Sequence, residues 1–337
     1  MNNKAFLIIT SIAPPDNRVL KVFAKECLTH NTGFIVIGDT KSPAGFKLDN
    51  CDFYSIDRQS DLPFKLAQSL PTRKYSRKNI GYLLAMMQGA EIIIETDDDN
   101  FPLNGFWDER TRNVQAYPQS EKGWVNIYRF FTQKNVWPRG FALEYLNNPP
   151  MAIDSAALYV HCPIQQGLAD GNPDVDAIFR LTSEVSIKFN PSGNIALGRN
   201  TWCPFNSQNT TWFPEAFPLL YLPSHCSFRM TDIWRSFVAQ RIAWANNWSV
   251  LFHKATVFQE RNEHDYLADF KDEIPGYLNN GKICNELQKI DLKSGPEHIF
   301  ENILKCYDVF IRDQLISPDE LPILNDWIQD CSQWLKK

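Results

Sequence analysis

The stretch Ala90-Glu91-Ile92-Ile93-Ile94-Glu95-Thr96-Asp97-Asp98-Asp99-Asn100 constrains this chain most. A β-branched run that ends abruptly in three carboxylates is the pattern of a buried strand delivering acids to the rim of a sheet. Adjacent carboxylates repel, and burying them unpaired costs several kcal/mol each. A divalent cation or a cationic ligand is the natural compensation. An arbitrary Asp triplet reads most simply as an exposed acidic turn, but the strand in front of this one favours a site.

Upstream segments supply a sheet for that strand to join. Phe6 to Thr10 reads as a first strand, Ser11 to Pro15 as the loop leaving its carboxyl end, and Val19 to Leu28 as a helix. Gly33 to Asp39 then reads as a second strand, and strand, helix, strand at this spacing is a parallel βαβ unit. Ligands of open α/β sheets bind beyond the carboxyl ends of strands, so Thr10, Ser11 and Asp39 are candidate nucleotide contacts. A loop serine that only caps the next helix is the plainer alternative. Asp52 to Ile56 fits a third short strand. Arg73, Lys74, Arg77 and Lys78 lie just before an apolar helix, Ile80 to Gln88, whose amino end favours anions. Charge alone leaves a phosphate contact and a solvated helix start equally open.

At 337 residues the chain has room for one domain of about 200–250 residues plus an extension. Its 44% hydrophobic and 22% charged residues are those of an ordinary globular protein. A net charge of -5 without basic clusters argues against nucleic-acid binding, which needs a Lys/Arg stripe. The eight cysteines are scattered and never form C-x-x-C, so they read as buried free thiols in a reducing, cytoplasmic setting and not as a zinc site. The sequons at Asn209 and Asn247 carry little weight. Ala5 to Thr10 runs into Pro14-Pro15 without a cleavage pattern and reads as a core strand, not a signal peptide. No apolar run approaches the roughly 20 residues that span a bilayer, so any membrane association is expected to be peripheral.

Taken together, Thr10-Ser11-Ile12-Ala13-Pro14-Pro15, Gly38-Asp39, Arg77-Lys78-Asn79-Ile80-Gly81-Tyr82 and Glu95 to Asn100 resemble the STELLO family of glycosyltransferase-like proteins. The likeness continues through Trp137 to Phe141, Gln165 to Ala177, Pro204 to Asn209 and Asp232 to Arg235, and spans roughly Lys4 to Phe258. More distantly, Arg139-Gly140 and Asp174 to Ala177 are similar to stretches of the reversibly glycosylated polypeptides, which act as UDP-arabinose mutases. The resemblance implies a GT-A fold: a mixed, mostly parallel α/β sheet flanked by helices over residues 1–262, with a helical carboxyl-terminal extension over 263–337. It also implies a nucleoside diphosphate sugar donor, UDP- or GDP-linked, a glycan or lipid-linked acceptor, and an Mn²⁺ or Mg²⁺ ion bridging the donor phosphates.

Under that resemblance Asp99 is the first choice for the metal and Asp97 the second. Alternation along a strand would point those two together and Asp98 away, as a structural or nucleotide-side residue. Thr10, Ser11, Ala13, Asp39, Arg77, Lys78, Asn79 and Arg235 are further nucleotide-sugar candidates. Asp174 and Asp176 precede a helix, where capping is the usual role of an aspartate. The family pattern favours a donor-sugar or acceptor contact for both. Arg139 matches the arginine linked to self-glycosylation in the mutase-like relatives. Asp232 is the base candidate for an inverting transfer, with an N-cap or a pair with Arg235 as its plainer reading. Arg229 and Arg241 could close around the phosphates. His253, ahead of His264, is the candidate for a late metal ligand. Trp107, Trp124, Tyr128, Phe130, Phe131 and Trp137 serve a core more readily than a sugar platform. The amphipathic tail carries no evident chemistry; packing on the main domain, homodimerisation and contact with a membrane-linked acceptor are the roles open to it.

Overall fold

The computed structural model describes residues 4–150, 152–153, 156–184, 186–260 and 265–335. Its centre is an eleven-stranded sheet. Aliphatic runs form the parallel side: β1 (Ala5–Thr10), β2 (Gly33–Ile37), β3 (Asp52–Tyr54) and β4 (Ile92–Thr96) lie in the order β3-β2-β1-β4. After β5 (Asn100–Pro102), the chain adds β6 (Asn113–Gln119), β7 (Gly123–Trp124), β8 (Leu158–His161) and β9 (Ile164–Gly171). Then come β10 (Ile195–Leu197), β11 (Thr201–Trp202), β12 (Asn209–Trp212) and β13 (Val250–Gln259). The sheet continues from β4 as β12-β9-β13-β10-β6-β8, with β5 on β13, while β7 and β11 form a separate pair. β12 runs antiparallel to β4 and to β9, so the sheet is mixed beyond its parallel side.

Strand alternation splits the core into two layers. Leu7, Ile9, Val36 and Ile94 face α1 (Arg18–Thr29), and Ile8, Ile35, Ile37 and Ile93 face the other way. Short helices α2 (Ile56–Ser60) and α3 (Lys65–Ser69) lead to α4 (Lys78–Met87), which lies on that second face. Gly81 lets α4 approach: a Cβ there would stand 2.5 Å from Ile8 Cγ2. Next come α5 (Ala177–Thr182) and α6 (Thr231–Ala245). Trp124, Tyr128, Phe131 and Trp137 are buried in the α4-side layer, which fits the core reading of these aromatics.

The tail forms α7 (Tyr266–Lys289), α8 (Ile299–Arg312) and α9 (Glu320–Leu335). These helices do not build a core of their own. Ile283, Leu287, Ile303, Phe310, Leu324 and Trp327 belong to the same buried cluster as Ile8 and Tyr82. Buried polar bonds tie them in. Asn280 donates to the Gly140 carbonyl at 2.8 Å, Asp330 accepts from Leu66 N–H at 2.8 Å, and Glu320 accepts from Ser224 and His225 N–H at 2.9 and 2.7 Å. Residues 261–264, where the sequence places the boundary, lie outside the described residues, as does His264. A mixed α/β sheet flanked by helices, with helices at the carboxyl end, is the architecture the GT-A resemblance implies. Among the described residues no helix is long and apolar enough to cross a membrane.

Candidate functional site

A cavity of about 570 Å³ opens beyond the carboxyl ends of β1, β2 and β4, lined by Thr10, Ser11, Asp39 and all three aspartates of the triplet. β4 ends at Thr96, so Asp97, Asp98 and Asp99 occupy a turn and strand alternation does not govern them. This corrects the expectation that Asp98 points away. Its Oδ2 accepts from the Ser11 hydroxyl, whose oxygen also takes the Ala13 N–H at 3.0 Å. Ala13 therefore supports Ser11 and is not among the residues lining the cavity. Gln259 Nε2 donates to Asp99 Oδ2 at 2.9 Å. Burial pushes the Asp97 carboxyl up, partly offset by Lys78 and the Tyr75 hydroxyl, and pushes Asp98 up against the Ser11 bond.

Lys78 stands behind the triplet, wholly buried, and not in the cavity. Its Nζ donates to Tyr75 Oη (2.7 Å), Thr96 O (2.8 Å) and Asp97 Oδ1 (3.3 Å). Tyr75 Oη in turn lies 2.7 Å from Asp97 Oδ1 and 2.6 Å from Ser207 Oγ. The cations that do face the cavity include Lys41, Arg73 and Lys74. Asp39 anchors their loop, taking Arg73 N–H at 2.7 Å. Arg77 reaches the lining, but its guanidinium is committed to Gln59 Oε1 (2.8 Å) and Leu70 O (2.9 Å).

The opposite wall is a charge cluster. Arg139 donates to Asp174 through Nε and Nη2, both at 2.8 Å, and to Asp232 Oδ2 through Nη2 at 2.9 Å. It also donates to the Arg229 carbonyl. Burial pulls the Arg139 guanidinium down, but Asp174 and Asp232 more than reverse that and hold it well above its ordinary range. Burial pushes Asp174 up, and Arg139, with Arg229 and Arg180, overrides it and holds the carboxyl well below the usual range. Asp232, in the first turn of α6, also accepts from Ser207 N–H at 3.3 Å. Gly140 gives the arginine its backbone path at φ 84°, and a Cβ there would sit 2.3 Å from Ile233 Cγ2.

Five sequence candidates lie elsewhere. Asn79 is turned to Leu222, donating to its carbonyl and accepting its N–H, both at 2.9 Å. Asp176 caps α5 through Phe179 N–H (2.8 Å) and takes Trp137 Nε1–H at 2.6 Å, so the capping reading holds. Arg235 faces Glu95 in the core and not a phosphate, and Arg241 donates to the Leu287 and Ile290 carbonyls. His253 lines a different cavity from the aspartates, which removes it from their metal set. Tyr75, Gln208, Gln259 and Phe228 line the cavity without having been singled out. The Arg73-Lys74-Tyr75 run and the Pro204–Asn209 stretch carried that signal for the first two.

The donor set suits a hard divalent ion, which takes carboxylate oxygens and completes its shell with water and ligand phosphates. Among the described residues no three His, Cys, Asp or Glu side chains converge as a ready cage, so such an ion would draw on a bound ligand as well.

Fold and cavity define an α/β protein with an acidic turn at a sheet's carboxyl edge, set across a cleft from a clamped carboxylate pair. Residues 229–334 match the family described as STELLO glycosyltransferases. Two Arabidopsis thaliana proteins, "Probable glycosyltransferase STELLO2" and "Probable glycosyltransferase STELLO1", are 28% and 27% identical over 320 residues. Each match covers 88% of this chain but only 41% and 40% of the relatives. The chain is thus similar to the STELLO proteins, as its motifs imply, and spans about two fifths of their length. A solved structure titled "Crystal Structure of a Mycobacterial Protein" aligns at TM-score 0.40 and 9% identity, covering 83% of this chain and 76% of that one.

Proposed function

We propose that this protein is a metal-dependent glycosyltransferase that moves a sugar from a nucleoside diphosphate sugar to an acceptor hydroxyl, with inversion, in glycan or surface polysaccharide synthesis. The observation that carries the reading is that one cavity is lined at once by the Asp97-Asp98-Asp99 turn, by Lys41, Arg73 and Lys74, and by Asp232. The names of the two STELLO relatives support the reaction class. Asp97 and Asp99 would hold Mn²⁺ or Mg²⁺, which when bound would offset the charge that develops on the leaving diphosphate. Arg73 and Lys74, which line the cavity, would meet the diphosphate, and Asp39 and Ser11 the nucleoside. Asp232, held in place by Arg139 and Ser207, takes the proton of the acceptor hydroxyl as that oxygen bonds the sugar carbon. The bond from that carbon to the diphosphate oxygen breaks, and its electron pair leaves with the diphosphate.

Self-glycosylation at Arg139 has less support. Its guanidinium is bonded to two carboxylates and held charged, which leaves no nucleophilic nitrogen. The test is thermal stability against a panel of nucleotide sugars with and without Mn²⁺, followed by turnover assays. One donor should stabilise selectively and only with metal, by about 2.7 kcal/mol at a hundred times its Kd. Asp99→Ala should abolish that response, and Asp232→Asn should keep it while losing transfer. Silence with every donor, or the same response to all, overturns the assignment.

A further inference from the structure

A second cavity of about 250 Å³ shares no lining residue with the first. Its floor is the face of β12, β9 and β13 that continues the α1-side layer. Thr211 stands opposite Ile94 and Gln165, and Gln165 opposite Leu251. Where β4 puts Ile94 on this face, the floor strands put Asn209, Thr211, Gln165 and His253. Amides, a hydroxyl and an imidazole in place of aliphatic side chains make a poor seat for a packing helix and a good one for a polar ligand.

Arg110, from the segment after β5, closes one wall. It donates to Thr211 Oγ1 at 3.1 Å and to the Phe106 and Asp108 carbonyls, all neutral acceptors. Among the described residues no carboxylate lies within ion-pair distance of its guanidinium, which has further N–H groups to offer. Burial brings it down to about 10, only partly opposed by Asp108. Lys254 stands beside it, 3.8 Å from the exposed Asp108 carboxylate. His253 is bonded to the Lys254 carbonyl at 3.0 Å through Nδ1, and among the described residues Nε2 has no partner. Burial, with help from Arg110 and Lys254, brings the ring down to about 4, so it is neutral at pH 7. A desolvated cation without a paired carboxylate is the arrangement an anion relieves.

We propose that this cavity is a binding site for a monosaccharide-sized ligand bearing an oxyanion, carboxylate or phosphate. Arg110 and Lys254 hold the charge, and Gln165, Asn209, Thr211 and His253 Nε2 meet the hydroxyls. The volume equals about eight waters at roughly 30 Å³ each, enough for one hydroxylated ring. The inference does not depend on the transfer reading, because its probes carry no nucleotide.

The test is NMR of the full chain, following the His253 ring nitrogens and Arg110 Nε during titration with glucuronate, glucose 6-phosphate and glucose. Either or both anions should shift these signals saturably, the responding arm identifying the oxyanion, and glucose should not. Lys254→Gln should weaken the response about tenfold or more, and Arg110→Gln likewise where the variant folds. Asp99→Ala should leave it unchanged. No saturable shift with either anion, an equal shift with glucose, unaltered binding in Lys254→Gln, or loss in Asp99→Ala would each overturn the proposal.

Discussion

Glu95 is tolerated in the core because both of its oxygens are met. Arg235 donates to both at 2.9 and 2.8 Å, Trp212 Nε1 adds a bond at 2.8 Å, and Tyr82 donates its hydroxyl. Removing one partner of so buried a pair strands the other, so Arg235→Met should lower the unfolding free energy by about 3–5 kcal/mol. Urea denaturation measures it, and a loss below about 1 kcal/mol would show that the pair is solvated. Asp176 behaves differently. Burial lifts its carboxyl to about 6, against about 3.9 in an unfolded chain. A raised acid binds more protons folded than unfolded between those values, so its contribution to stability falls as pH rises from about 4 to about 6. Asp176→Asn should lack that slope, so wild-type stability, measured by urea denaturation, should fall relative to the variant as pH rises across the window. A wild-type stability that rises relative to the variant across the window contradicts the assignment. Sequence could place both residues in polar motifs but could not tell which way they turn. Arg235 follows Asp232 on one helix, and only the position of Glu95 on β4 decides that it points to the core and not to a phosphate.

The parallel strands were legible because β1, β2 and β4 are aliphatic on both faces, and few structures other than a covered parallel sheet bury such runs. The acid turn was legible because that aliphatic run leads straight towards it, although β4 carries on through the buried Glu95 and Thr96 before the turn begins at Asp97. Its side-chain directions were not, since the chain leaves strand geometry at Asp97. α4 shows the packing that this sheet demands. Gly81→Ala puts a Cβ 2.5 Å from Ile8 Cγ2 and 3.1 Å from Ile37 Cγ1. Overpacking of this kind costs about 1–3 kcal/mol, while alanine regains up to roughly 1 kcal/mol of helix propensity. A net loss of about 1–2 kcal/mol is expected by thermal or chemical denaturation, and a stabilised variant would mean that α4 stands off the sheet. At α7, Glu273 is wholly buried and accepts from Arg229 Nε (2.9 Å), Ala177 N–H (2.8 Å) and Tyr277 Oη (2.5 Å). It thereby joins the tail to a cavity-lining arginine and to the start of α5.

That connection bears on what the molecule is as a unit. The amphipathic pattern of the tail shows that its helices must cover something, but it contains no information about what, and packing on the main domain, homodimerisation and contact with a membrane-linked acceptor all stayed open. In the structure, the surface covered is the main core. Trp327 Nε1 donates to the Pro218 carbonyl at 3.0 Å, Trp234 Nε1 donates to Asn280 Oδ1 at 3.0 Å, and Glu320, with no exposed surface, satisfies the 221–225 segment. A chain cut after residue 262 would expose the apolar faces beneath α7, α8 and α9. It would also leave the Gly140 carbonyl, the Ser224 and His225 N–H groups and the Arg229 guanidinium without these partners, each buried orphan costing about 1–3 kcal/mol. Four such orphans cost about 4–12 kcal/mol before the uncovered apolar faces are added, against the roughly 5–15 kcal/mol by which a domain is stable. The truncated chain is therefore expected to show no cooperative transition, to bind a hydrophobic dye strongly and to be digested throughout by a low dose of protease. A 1–262 fragment that unfolds cooperatively near the temperature of the full chain would instead establish two units, and the wall formed by Arg139, Arg229 and Asp232 would then have to stand without α7.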